Sequence, residues 1–342
     1  MTPADHGSKA GERYQYKNQK PPSVRRAPIS KITTQSPPSI TKERAACSVN
    51  NSFDERDAVE PESFSAHYEE LLDGPDNALK TSPAGWTVKL GSSPVIGTAI
   101  HSGSDVGSAC QSLMAISDSD RLREEDPFTE WFVADFPTQI IVHRSRFQVD
   151  LNRAREAAVY LTPEQSWGLT VWREPPHQDI VDDCLAFHDA FYAELKHVLA
   201  DVEKAYGRFV LVDVHSYNHR REGQNRAPAA QDVAPDINIG TFSMDRVRWA
   251  PVIDAFMAAL RRQRLNGEPI DVRENVSFQG KGEQTRFVHE NFPHTGCAIA
   301  VEFKKIFMDE WSGKPDWRTI EQLRVALAST VPVLQAALRG LP

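Results

Sequence analysis

Apolar residues fall along this chain in short continuous runs separated by longer stretches of helical spacing. Pro94-Val95-Ile96-Gly97-Thr98-Ala99-Ile100 ends at His101 and predicts a buried strand. Gln139-Ile140-Ile141-Val142 predicts another, and the alternation from Phe147 to Leu151 predicts that the sheet continues there. Between Cys184 and Ala205 the residues Leu185, Phe187, Phe191, Leu195, Val198, Leu199 and Val202 recur at helical spacing, which predicts a long amphipathic helix. Arg208 to His215 is a strongly apolar strand with a polar end. Val252 to Leu265 is helical by period and closed by Asn266-Gly267. Cys297 to Phe303 is a further buried strand, and Trp317 to Leu338 a terminal helix interrupted near Pro332. Strands that alternate with helices imply an α/β fold, with a twisted mixed, largely parallel sheet covered by helices on both faces.

The first 85 residues lack this pattern. Residues 1–50 are rich in Pro, Ser, Thr, Lys, Arg and Gln, and bury too little apolar surface to offset their ordering entropy. The expected organisation is therefore a disordered tail over 1–85, with a short helix near Ala66 to Leu72, and a single chemical domain over 86–342. Residues 1–50 hold nine basic side chains against three acidic ones. That excess reads either as an arm for an anionic partner or as a solvated extension.

Composition narrows the function classes. The 342-residue chain has a net charge of -8, which argues against a dedicated nucleic-acid binder. No apolar run approaches the roughly 18–20 residues of a membrane span, and the N-terminus has no apolar core of the secretory type. Cys47, Cys110, Cys184 and Cys297 form no C-x-x-C pair and fit thiols in a reducing compartment. A cytoplasmic protein acting on a small molecule is the expectation, without a membrane or nucleic-acid partner.

Three strands end in residues that carry chemistry: Ala99-Ile100-His101-Ser102-Gly103, Val212-Asp213-Val214-His215-Ser216-Tyr217, and Ala298 to Lys304 with Glu302 inside it. In open α/β sheets ligands gather at the carboxyl ends of strands. Two histidines and one carboxylate are the protein ligands of many catalytic zinc sites. The run Glu124-Glu125-Asp126 before Pro127 offers that carboxylate, or else marks a solvated face or a helix N-terminus. Arg144, Arg146, Asn152 and Arg153 form a cluster suited to clamping a carboxylate, because guanidinium presents a planar fork. No G-x-S-x-G element supports a serine hydrolase.

The ordered set HSG, EED, SRF-x-VDLNR, VDVHSYNHRR, PDINIGT, GKGEQTR and VEFKKIFMDE resembles the N-formylglutamate amidohydrolases, relatives of the zinc carboxypeptidases, from about Trp86 to about Lys314. The resemblance implies a zinc-carboxypeptidase (phosphorylase/hydrolase-like) fold and a Zn2+ ion held by His101, His215 and an acid. Asp126 is the expected acid, with Glu125 as rival and Asp105 as a further option. Zinc carboxypeptidases take histidine and acid from one H-x-x-E loop, whereas here the third residue after His101 is Ser104. By the same resemblance Glu302 is the general base, and Arg146 or Arg144 stabilises the oxyanion. Asn152 and Arg153 hold the α-carboxylate, and Ser216 belongs to the substrate side of the site. Asn275 to His289, with Gly280 and Gly282 as flexible points, resembles a loop that closes over the substrate, Arg286 offering a second carboxylate contact. The implied reaction is hydrolysis of an N-formyl amino acid, N-formyl-L-glutamate to formate and glutamate. The competing readings are a deacylase or peptidase of other N-acyl substrates, or a catalytically degenerate binding protein.

Overall fold

The structure, a computed structural model, describes residues 79–81 and 85–341. The basic arm, the helix near Ala66 to Leu72 and Cys47 lie outside the described residues, as does most of the tail expected over 1–85, but Leu79–Thr81 within that span pairs with Trp86–Lys89 as a strand. An eight-stranded mixed sheet runs in the order β1 (Leu79–Thr81), β2 (Trp86–Lys89), β4 (Thr138–Val142), β3 (Val95–Ala99), β5 (Phe209–Tyr217), β10 (Gly296–Lys304), β6 (Ile237–Gly240), β9 (Val272–Glu274). The neighbours β4, β3, β5 and β10 are mutually parallel, and antiparallel pairs flank them on either side. All nine residues of β5 are buried, as expected of a central strand covered on both faces.

Each face of the sheet carries its own core. On one, Val210, Val212 and Val214 of β5 pack with Ile299, Val301 and Phe303 of β10. Helix α5 (Ala250–Arg261) and the terminal pair α7 (Trp317–Ala328) and α8 (Val331–Arg339) cover them. On the other, Phe209 and Leu211 meet Phe191, Leu195 and Leu199 of the long helix α4 (Gln178–Tyr206) and Val288 of α6 (Glu283–Asn291). Side chains alternate along a strand, so Asp213, His215 and Tyr217 continue the row begun by Phe209 and Leu211. Within one strand, core thus gives way to polar side chains toward the carboxyl end.

Several expectations need correction. Phe147 to Leu151 is not strand: the N–H groups of Gln148 and Val149 turn back to the Ser145 carbonyl, and that of Asp150 goes to Ala158. The alternation is nonetheless explained, since Phe147, Val149 and Leu151 are buried in the second core. Period two reports alternate burial, and only hydrogen-bond pairing makes a strand. The helix expected over Val252 to Leu265 ends at Arg261. Arg264–Leu265 (β7) then pairs with Glu268–Pro269 (β8), and Asn266-Gly267, both at positive φ, makes the hairpin turn. The Glu-Glu-Asp run is neither a solvated face nor a helix start: it begins at the last residue of α2 (Asp118–Glu124), and all three acids are buried. Asn275 to His289 is loop only in its first half, because its second half is α6. Gly280 packs backbone to backbone on Gly240, and a Cβ on Gly282 would lie 2.1 Å from Asn152 Oδ1.

Candidate active site

The carboxyl ends of β3, β5 and β10 open on one pocket of about 170 Å³. His101 follows β3 by two residues. Its carbonyl accepts the Asp126 N–H at 2.9 Å, which ties the acid's backbone to the histidine's. His215 lies within β5, opposite Glu302 in the parallel register of β10, so the two side chains stand side by side on one face.

His101, Asp126 and His215 are all buried, and one ligand atom from each lies within 4.8 Å of the others. The Nδ1 atoms of His101 and His215 face Asp126 Oδ2 at 3.4 and 3.1 Å. Behind them, Nε2 of His101 is 2.7 Å from Asp150 Oδ1, and Nε2 of His215 is 3.1 Å from Asp213 Oδ1. An imidazole that donates Nε2–H to a carboxylate keeps its Nδ1 lone pair free. Two lone pairs and a carboxylate then converge in a buried space, and Nδ1 of His101 has no hydrogen-bond partner. That donor set lacks a positive charge and fits a zinc ion.

The electrostatics show the same demand for positive charge, which a proton on His215 meets and a metal ion would displace. Burial alone would raise the Asp126 carboxyl, yet the two histidines outweigh it and hold it well below the usual carboxylate range. Burial opposes a charge on His215, and Asp213 and Asp126 overcome that, lifting it well above an ordinary imidazole. Glu302 is different: burial pushes it up to about 7, and His215 and Arg146 only partly offset the effect.

Some expected residues are brought together here and others are not. Arg146, Asn152, Ser216 and Glu302 line the pocket with the two histidines and Asp126. Arg146 reaches Asp150 Oδ2 at 2.9 Å and lies over the Trp167 ring, 4.9 Å from its centroid. Ser216 donates to Asp126 Oδ1 at 3.1 Å, which orients the acid. Glu125 instead accepts from Ser145 and faces Arg121, away from the histidines. Asp105 is exposed and bridges backbone to backbone with Arg144. Arg144 is placed outside the pocket, over the Phe187 ring with Gln148 as partner. Arg153 stacks on Tyr160 behind the pocket wall. Arg286 points outward from α6 to Glu283 and Glu290, at 3.2 and 3.6 Å, and is not among the residues that line the pocket.

Sequence reasoning missed Asp150 and Asp213 as the carboxylates behind the histidines. Asp213 was within reach, since it precedes His215 by two residues on a strand and must share its face. Lys305 was not legible: its Nζ donates to the carbonyls of Arg123 and Glu125, both at 2.6 Å, and so grips the turn that delivers Asp126. Cys110, Cys184 and Cys297 are free and buried, and no described helix is long and apolar enough to cross a membrane.

A crystal structure of N-formylglutamate amidohydrolase from Ralstonia eutropha JMP134 superposes with a TM-score of 0.59 at 15% identity, covering 75% of this chain and 99% of that one. A gene product of Agrobacterium tumefaciens superposes with a TM-score of 0.54 at 15% identity, covering 74% of this chain and 95% of that one. At such identity these likenesses establish the fold. No curated protein matches the chain. Residues 93–308 match the sequence family N-formylglutamate amidohydrolase. That span is more than half of the chain and runs from before β3 to beyond β10, taking in every pocket residue named above. The chain therefore belongs to the N-formylglutamate amidohydrolase family and is a hydrolase that acts on amide bonds.

Proposed function

We propose that this enzyme uses zinc, held by His101, Asp126 and His215, to hydrolyse the amide of an N-formyl amino acid, with N-formyl-L-glutamate as the best substrate. The observation that carries the reading is the convergence of two carboxylate-backed histidines and Asp126 beside Glu302. The pocket of about 170 Å³ favours a formyl group and a single amino acid over a longer acyl chain or a peptide. It lies below the roughly 300–1,000 Å³ of pockets that take drug-sized ligands.

When bound, zinc supplies Lewis acidity that activates water and polarises the scissile carbonyl. Glu302 accepts the proton of the attacking water and passes it to the amide nitrogen as the C–N bond breaks, releasing formate and the free amine. Its partly buried position keeps it basic enough to take that proton and acidic enough to return it. Arg146 donates to the developing oxyanion, already oriented by Asp150 and Trp167. Asn152 faces the pocket and holds the α-carboxylate, with Arg153 behind it.

The test is turnover of N-formyl, N-acetyl and longer N-acyl amino acids before and after metal stripping. Loss on stripping, recovery with zinc, and at least about tenfold preference for formyl over acetyl are expected, a gap of the order one extra carbon makes in a closed pocket. Turnover indifferent to stripping, or equal on long acyl chains, would sink the proposal.

A further inference from the structure

Two arginines and a lysine line the pocket, and two of these three side chains are already held. Arg146 is tied to Asp150 and to the Glu124 carbonyl, and lies over Trp167. Lys305 is buried with its Nζ on two backbone carbonyls. Arg221 is the exception. Its side chain is 49% exposed, and its ion pair is with Glu124 Oε2 at 3.6 Å, too long for a good hydrogen bond. Glu124 does not depend on that contact, because its Oε1 already accepts from Arg123 at 2.9 Å and from Asn218 at 3.1 Å.

The stem of Arg221 is fixed although its head is not. The N–H groups of His219 and Arg220 both donate to Oε1 of the buried Glu310, at 2.8 and 3.1 Å. This carboxylate pins the chain just after β5, so Arg221 projects from an anchored turn at the pocket mouth. A guanidinium there, with its planar fork uncommitted, is suited to a carboxylate arriving from solvent.

We infer that Arg221 recognises the side-chain carboxylate of the acylated amino acid, exchanging Glu124 for the substrate when the pocket fills. The inference rests on the function proposed above and deepens it: the enzyme takes N-acyl derivatives of an acidic amino acid because a second cation meets the second anion. Arg286, turned outward to its own glutamates, does not compete for the task.

The experiment compares N-formyl-L-glutamate with N-formyl-L-glutamine, which differ by that one charge, in the parent enzyme and in Arg221→Ala and Arg221→Lys. The parent is expected to prefer the acid. In Arg221→Ala the ratio of kcat/KM for acid over amide should fall by about 10–100-fold, chiefly through KM, as a charge-assisted hydrogen bond is lost. Arg221→Lys should recover part of the ratio, since charge returns without the fork. A ratio unchanged in Arg221→Ala, or a loss shared equally by the two substrates, would overturn the assignment while leaving the proposed reaction standing. A parent that hydrolyses neither substrate would overturn the reaction and, with it, the role of Arg221.

Discussion

Asp150 holds His101 from behind: the imidazole Nε2 lies 2.7 Å from Asp150 Oδ1, while Oδ2 of the same carboxylate takes Arg146 at 2.9 Å and the Tyr160 hydroxyl. One buried acid thus sets the tautomer of a candidate metal ligand and the position of the candidate oxyanion donor. Asp150→Asn keeps the shape and removes the charge. Zinc affinity should fall by about 10–100-fold, the usual cost of losing the partner behind a metal histidine. Competition with a metal-binding dye measures this, and an unchanged affinity would separate Asp150 from the metal site.

The acid run offers a paired test. Asp126 lies between the histidines, whereas Glu125 accepts from Ser145. Asp126→Asn should purify with little zinc, and Glu125→Gln should keep it. Metal content by elemental analysis decides, and the reverse pattern would move the ligand to Glu125.

The role proposed for Glu302 is to move a proton and not to bind the metal. Glu302→Gln should lower kcat by roughly 10²–10⁴-fold, the range of general acid–base catalysis, with metal content nearly unchanged. Normal turnover in that variant would remove Glu302 from the mechanism.

Gly282 is needed for its lack of a side chain. Its backbone, at φ -64 and ψ 158, suits any residue, but a Cβ would meet Asn152 Oδ1 at 2.1 Å. Asn152 Nδ2 in turn sits 3.3 Å from His215 Nε2. Gly282→Ala should push Asn152 from the pocket and raise KM severalfold or more, since misplacing a positioning group is costly. A KM equal to that of the parent would mean that Asn152 does not hold the substrate.

His289 ties stability to pH. Burial lowers its pKa from 6.5 to about 4, and its Nε2 accepts the Ala298 N–H at 3.0 Å. The folded chain keeps this imidazole neutral, and the unfolded chain protonates it below about 6.5. Stability is therefore complete above pH 6.5 and declines as pH falls toward 4, by up to about 3 kcal/mol at 1.36 kcal/mol per pH unit. Urea midpoints at pH 7.5 and pH 5 should differ less in His289→Gln than in the parent. An equal difference would place the acid sensitivity elsewhere.

Most of the sheet and of the helix layer was legible because both follow from local periodicity. Strands β3, β5 and β10 are dense apolar runs, and α4 repeats its apolar residues every third or fourth position, although its polar first turn from Gln178 hid the true start. The break before α8 was visible at Pro332. Short strands such as β6 and β9 escaped notice, since three or four residues carry no period to read. Phe147 to Leu151 misled for the opposite reason: it has the period of a strand without a partner to pair with.

By itself the sequence determined which residue types reach the strand ends. His101, His215 and Glu302 follow from chain direction and side-chain alternation, and the family resemblance rests on the motifs around them. The tertiary structure decided which of three consecutive acids faces the histidines, and that Asp150 and Asp213 stand behind them. It also turned Arg146 and Arg221 toward the pocket, and Arg144 and Arg286 away. The reason is physical. Periodicity acts over a few residues along one element, whereas Asp126 and His215 are 89 residues apart and meet only through sheet register and the turn that Lys305 grips.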